Sequence, residues 1–147
     1  MDAMKLCLFI IAIFLLASCA TNDLDDCVGF QISEHLFSDI NINGYSYYYI
    51  AEKAVCNEDL YFISLLSKVS VSDGATYEHG AILIEAIDHI SEEKYLEIFS
   101  CLTKNEQTDI MNYYLPAGLD FTENPRYKRT EWVSEAFPIL NNYFKSN

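Results

Sequence analysis

The strongest constraint on this chain is the spacing of its apolar residues between Leu60 and Tyr114, broken at intervals by sequences that start helices. Apolar positions three and four apart line one face of an α-helix, and several such faces are buried by packing helix on helix. Thr103-Lys104-Asn105-Glu106 is a capping box. Its threonine satisfies an orphan N–H at a helix start, and its glutamate reaches back to the threonine's own N–H. The helix it opens carries Ile110, Met111 and Tyr114 inward and is expected to stop at Pro116-Ala117-Gly118. Ser91 is expected to cap a helix beginning Glu92-Glu93 that buries Tyr95, Leu96, Phe99 and Leu102. Asn57, with Glu58 and Asp59 favouring the positive end of the dipole, caps a helix that buries Leu60, Phe62, Ile63, Leu66 and Val69. Between these two lie a loop over residues 70–76, containing Asp73-Gly74, and a long helix over 77–90. That helix turns Ile82, Leu83, Ala86, Ile87 and Ile90 inward.

Phe30, Ile32, Leu36, Phe37 and Ile40 are roughly at helical spacing and are followed by a turn, Asn41-Ile42-Asn43-Gly44. In residues 45–55 the run Tyr47-Tyr48-Tyr49-Ile50 suits a strand, but Ala51-Glu52-Lys53-Ala54 tips the segment to helix. Residues 118–129 read as an irregular stretch with Pro125. Thr130 then caps a last helix whose apolar face is Trp132, Val133, Ala136, Phe137, Leu140 and Tyr143, and Pro138 should kink or split it. Residues 50–69 can be laid over residues 84–103, with Tyr61 on Tyr95, Phe62 on Leu96 and Leu65 on Phe99. Repeats of about this length build stacked helical hairpins. Identities in the match are few, which leaves an irregular helical bundle as the other arrangement. The expected class is all-α, either bundle or short stack.

Ahead of this domain, Met4-Lys5 is followed by an uncharged apolar run from Leu6 to Leu15. A positive start and a short apolar run are the first two parts of a secretion signal, and the run is shorter than the ~20 residues a membrane span needs. Asp2 offsets Lys5, and a start at Met4 would remove that mismatch. Leu16-Ala17-Ser18-Cys19 follows directly and resembles the lipobox of bacterial lipoproteins at all four positions. The resemblance implies that the Cys19 thiol is diacylated, that the chain is cut before Cys19, and that the new amine is acylated. One acyl chain binds a membrane marginally and two or more anchor stably. The implied organisation is a signal peptide at 1–18, a lipidated tether at 19–27 and a single helical domain at 28–147. Ordinary signal-peptidase cleavage after Ser18-Cys19-Ala20 and an uncleaved anchor are the alternatives. Ala20 is not the aspartate associated in that class with inner-membrane retention, so the outer membrane is implied over the inner. Asp23-Leu24-Asp25-Asp26 resembles the acidic tract that sends some lipoproteins to the cell surface, although solvated tethers are often acidic anyway.

Nine basic residues stand against 22 acidic ones, a net charge of −13 over 147 residues. Nucleic-acid binding needs lysine and arginine to displace counterions from phosphates, so no nucleic-acid partner is expected. The same field speeds encounter with a basic protein and also serves solubility alone. Of the five cysteines, Cys7 leaves with the leader and Cys19 takes lipid. A disulfide Cys27–Cys56 would pin the end of the tether in an oxidising compartment. Cys101, between Phe99 and Leu102, reads as a small buried apolar residue. No C-x-x-C pair is present.

Glu78, His79, Glu85, Asp88, His89, Glu92 and Glu93 form the densest polar cluster, with Glu85 and His89 on one helical face. It lacks the H-E-x-x-H or repeated E-x-x-H of metal sites, and a solvated face accounts for it equally well. No nucleophile elbow, phosphate loop or dinucleotide fingerprint occurs, so no catalytic residue, cofactor or metal is expected. Arg126-Tyr127-Lys128-Arg129, beside Trp132, joins residue types enriched at binding hot spots, and such clusters also satisfy acids of their own fold. Asp88, Glu92, Glu93 and Glu97 are the acids expected to meet a basic partner. Tyr45, Tyr47, Tyr48 and Tyr49 cannot all face one core from one helix, so at least one should be exposed. These features point to a membrane-tethered, non-catalytic envelope lipoprotein that binds protein. It would serve as an adaptor or scaffold, or as an immunity protein against an envelope-targeted toxin; the alternative is an envelope enzyme on a helical scaffold.

Overall fold

A computed structural model describes residues 24–147, which form an all-helical fold with one short β-ribbon. The leader, the lipobox and Cys19 lie outside the described residues. The helices are α1 (Leu24–Val28), α2 (Glu34–Phe37), α3 (Tyr47–Val55), α4 (Leu60–Leu66), α5 (Ala75–Ile90), α6 (Glu92–Ser100), α7 (Lys104–Asp109), α8 (Leu115–Phe121), α9 (Val133–Ala136) and α10 (Pro138–Ser146). Strands β1 (Asn41–Ile42) and β2 (Tyr45–Ser46) pair antiparallel ahead of α3. A π-helical turn, Ile110–Tyr114, joins α7 to α8 without a break.

Helix α5 is the centre of the fold. From Gly80 to Ile87 every residue is buried, and a helix apolar nearly all round must be covered on every side. Its closest neighbour is α8, which crosses it at a pair of glycines. A Cβ built on Gly80 would lie 2.0 Å from the Tyr114 carbonyl oxygen, and one built on Gly118 would lie 2.3 Å from the Gly80 carbonyl carbon. The two backbones touch there, so Gly118 does not stop the helix as expected; it admits a neighbour. Pro116 does not stop it either. In the π turn the Leu115 N–H reaches the Ile110 carbonyl, five residues back, and the widened turn accommodates the proline ring in the first turn of α8. Around this pair the core is filled by Phe37, Tyr47, Tyr95, Phe99 and Phe137, all fully buried, with Phe37 stacked on Tyr47 at 4.0 Å.

Several local starts differ from the sequence reading. Asp59, not Asn57, caps α4, accepting the Tyr61 N–H at 3.0 Å. Glu58 sits at φ 53, so the chain turns over before the helix begins and the cap falls two residues later. Leu60 is consequently exposed and Phe62 half-buried, while Leu65 turns inward. The expected turn after Ile40 is the tip of a hairpin: Asn43 and Gly44 both have positive φ, the two-residue turn that matches strand twist. Ser46 then caps α3. Residues 30–33 are not helical: the Ile32 N–H bonds Asp25 Oδ1 at 3.0 Å and the Ser33 N–H bonds Glu78 Oε2 at 2.7 Å, leaving only Glu34–Phe37 helical.

At the C-terminal end, the Thr130 N–H closes a turn on the Tyr127 carbonyl and Trp132 takes the cap position of α9. Pro138 divides the last segment, as expected, and opens α10. Cys101, expected inside, is exposed at the end of α6, where the chain turns off the helix. The acidic stretch read as tether up to residue 27 is helical from Leu24. Leu24 and Val28 are buried, and Cys27 is disulfide-bonded to Cys56 across 5.6 Å between Cα atoms. Tyr61 is exposed whereas Tyr95, its partner in the proposed repeat, is fully buried. The two hairpins are therefore not equivalent units, and the packing is that of an irregular bundle.

Candidate functional site

The last turns of α5 present Glu85 and Asp88 to the irregular segment that follows α8. Asp88 accepts from the Arg126 guanidinium, from the Tyr127 hydroxyl at 3.0 Å and from Asn124 Nδ2 at 3.3 Å. Glu85 accepts from Asn124 Nδ2 at 3.1 Å and from the Thr122 hydroxyl at 3.4 Å. The basic cluster thus serves acids of its own fold and pins residues 122–127 to α5. Glu92, at the start of α6, accepts the Leu140 N–H at 2.8 Å, one of the orphan donors of the first turn of α10.

Asp88, Glu92, Glu93, Arg126 and Tyr127 therefore converge on one cleft of about 130 Å³. Glu97, Arg129 and Trp132 lie outside that cleft, each exposed, Trp132 to 63%. Burial pushes the Glu85 and Glu92 carboxyls above their ordinary range, with their hydrogen bonds pulling back. Burial and then Asp88 raise Tyr127 well above a free phenol, so it remains a donor. Asp88, Arg126 and Tyr127 answer one another and Glu92 takes the Leu140 N–H, so most of the cleft's polar groups are engaged within the fold. The Arg126–Asp88 pair, with the arginine largely in solvent, contributes no more than about 1 kcal/mol.

The histidine and acid cluster of α5 is dispersed in the same way. His79 is fully buried; its Nδ1 is 2.9 Å from the Tyr47 hydroxyl, and burial alone lowers its pKa to about 3, so the ring is neutral. Its Nε2 has no hydrogen-bond partner among the described residues. His89 Nδ1 lies 3.0 Å from the Val55 carbonyl oxygen. Among the described residues, no three His, Cys, Asp or Glu side chains converge as a metal site, and no helix is long and apolar enough to cross a membrane.

A second surface is built by β2, α3 and α4. Tyr45 and Tyr49 stack with ring centroids 5.4 Å apart, and each meets the Phe62 ring edge to face, at 5.2 and 5.5 Å. Tyr61 packs on Phe62 at 5.2 Å. Tyr49, Leu60 and Tyr61 are exposed, Tyr61 to 53%. Of the four tyrosines singled out in residues 45–49, Tyr47 goes to the core and Tyr48 is half-buried, donating to the Ile32 carbonyl at 3.4 Å. Tyr45 and Tyr49 join the outer face. The sequence reading missed Leu60, Tyr61 and Phe62 as members, because capping at Asn57 turns Leu60 and Phe62 inward. The signal that would have found them is Asp59 itself, a better-placed cap for Tyr61 and Phe62. Arranged this way, the rings form a rigid aromatic platform whose edges carry hydroxyls. No family model, curated protein or solved structure matches this chain.

Proposed function

We propose that this chain is a non-catalytic binding protein of the bacterial envelope, tethered by lipid on Cys19 and acting through the Tyr45–Tyr49–Tyr61–Phe62 face. That face carries the reading. Three tyrosine rings packed on Phe62 lose little entropy on binding, and large aromatic side chains grouped in solvent are what partner surfaces are made of. The tether is supported by Leu16-Ala17-Ser18-Cys19, and Ala20 after the cysteine favours the outer membrane over the inner. Only residues 20–23 separate Cys19 from α1, so α1 lies within roughly 18 Å of the anchored residue even when the linker is fully extended. The partner must therefore come to the membrane surface, as a resident complex does for an adaptor or an incoming toxin does for an immunity protein.

The test is a Cys19→Ser variant, labelled with radioactive palmitate and fractionated. Loss of label is expected, with the leader left uncut because the cut depends on the modified cysteine; a variant that stays labelled would sink the tether. Self-intoxication on deletion of the gene would assign the immunity role, and loss of an envelope complex without toxicity would assign the adaptor role.

A further inference from the structure

The aromatic face has an acidic rim. Glu58 and Asp59, both exposed, precede Leu60 and Tyr61, and Glu52 lies on the turn of α3 after Tyr49. One cation is already seated there: Lys53 Nζ stands 5.4 Å from the Tyr49 ring centroid, held by Glu52 at 3.3 Å and by Asn57 Oδ1 at 3.2 Å. The chain thus demonstrates on itself what the surface accepts, a cation over a tyrosine ring with a carboxylate beside it. From this we propose that the face docks a basic, arginine-bearing segment of the partner protein, an inference that rests on the protein-binding function proposed above.

Charge and chemistry select this occupant over the others. A guanidinium is planar, stacks on an aromatic ring and forks onto a carboxylate, so tyrosine rings with the exposed Glu58 shortly ahead of Tyr61 in the chain and Glu52 one turn after Tyr49 suit it on two counts. A purely apolar partner would strip water from the carboxylates and tyrosine hydroxyls and leave them unpaired. An anionic lipid surface is repelled by a chain of charge −13. A second copy would bring two such charges together.

The probe is fluorescein-labelled deca-arginine, titrated by anisotropy against the full chain in mild detergent at physiological salt, with deca-glutamate as control. The parent should bind deca-arginine and not deca-glutamate. Tyr49→Ser with Tyr61→Ser should weaken binding about tenfold, since two stacking rings are lost while every charge remains. Both side chains are exposed, so the variant should keep the fold and its circular dichroism spectrum, with a melt lowered only by the lost ring contacts. Trp132→Ser, on a different surface, should leave binding unchanged. Lys53→Gln should tighten it, because the resident cation no longer covers Tyr49.

Tyrosine variants that bind as the parent does would reduce the attraction to net charge and overturn the proposal. So would loss of binding on reconstitution into phosphatidylethanolamine vesicles, which would give the face to lipid. A dimer in sedimentation that the tyrosine variants abolish would give it to a second copy, with the same effect. The anchor is tested separately: loss of palmitate label from Cys19→Ser with tyrosine-independent binding removes only the docking face, and retained label on Cys19→Ser with tyrosine-dependent binding removes only the tether.

Discussion

Replacing Gly80 by alanine sets two effects of opposite sign against each other. Gly80 lies inside α5 with a helical backbone, where alanine is favoured over glycine by about 1 kcal/mol on propensity alone. The added methyl, however, would sit 2.0 Å from the Tyr114 carbonyl oxygen, 2.7 Å from the Gly118 nitrogen and 2.9 Å from the Gly118 Cα. All three are main-chain atoms and cannot rotate aside. Reaching ordinary contact at 3.4 Å means opening the α5–α8 crossing by about 1.4 Å, which loosens the packing around it. Overpacking costs typically 1–3 kcal/mol, and a backbone clash belongs at or above the top of that range. Net of propensity, Gly80→Ala should destabilise by about 2 kcal/mol or more. With an unfolding entropy of roughly 0.26 kcal/mol/K for a domain of this size, the melting temperature should fall by about 8 °C. Urea denaturation followed by circular dichroism gives the free energy, and calorimetry gives the temperature. Gly118→Ala should behave alike, and the double variant should cost less than the two singles added, because one opening relieves both clashes. A Gly80→Ala protein as stable as the parent, or more so, would mean that the backbones are not in contact and would refute the account of the core.

Two further outcomes follow from the described contacts. Reducing Cys27–Cys56, which closes a loop across 29 residues of sequence, should cost about 3.6 kcal/mol in the chain-entropy treatment and lower the melting temperature by roughly 14 °C; a melt indifferent to reductant would contradict it. His79, neutral when folded with a pKa of about 3 against 6.5 unfolded, makes the unfolded state bind more protons between those values. Stability should therefore fall as pH drops below about 6.5, at up to roughly 1.4 kcal/mol per unit. Glu85 and Glu92, raised by burial, act in the opposite sense at lower pH, gaining stability as they protonate. Chemical denaturation of His79→Phe from pH 6.5 to 5 should show a flatter profile than the parent, and an unchanged slope would show that His79 is not held neutral.

What could be read along the chain was what is decided within one helical turn. The Thr103–Glu106 box closes as drawn from sequence: the Thr103 N–H donates to Glu106 Oε2 at 2.7 Å, and the Glu106 N–H donates to Thr103 Oγ1 at 3.3 Å. Ser91 likewise caps α6. The all-helical class followed from such signals. Where several capping residues stood in a row, at 57–59, the choice fell to tertiary contacts, and a shift of two positions turned Leu60 out of the core and into solvent. Gly118 carried an ordinary stop signal, and its real reason is Gly80, which no window around residue 118 contains. Arg126 and Tyr127 were recognisable as a cluster, but their acceptor, Asp88, is 38 and 39 residues away. Only the fold could show that they are already engaged.

The covalent link between α1 and the end of α3 also sets how this molecule bears load. A pull applied ahead of Cys27 does not peel the domain from its edge. It passes through the sulfur bridge to Cys56, at the joint between the two helices that carry Tyr49 and Tyr61. The bundle behind that joint, including the glycine crossing at its centre, stays out of the line of force. Like a strain relief on a cable, the bridge delivers tension to the hairpin proposed above as the docking face, so a pull from the N-terminal side would load one short, cross-linked segment while the rest of the fold is spared.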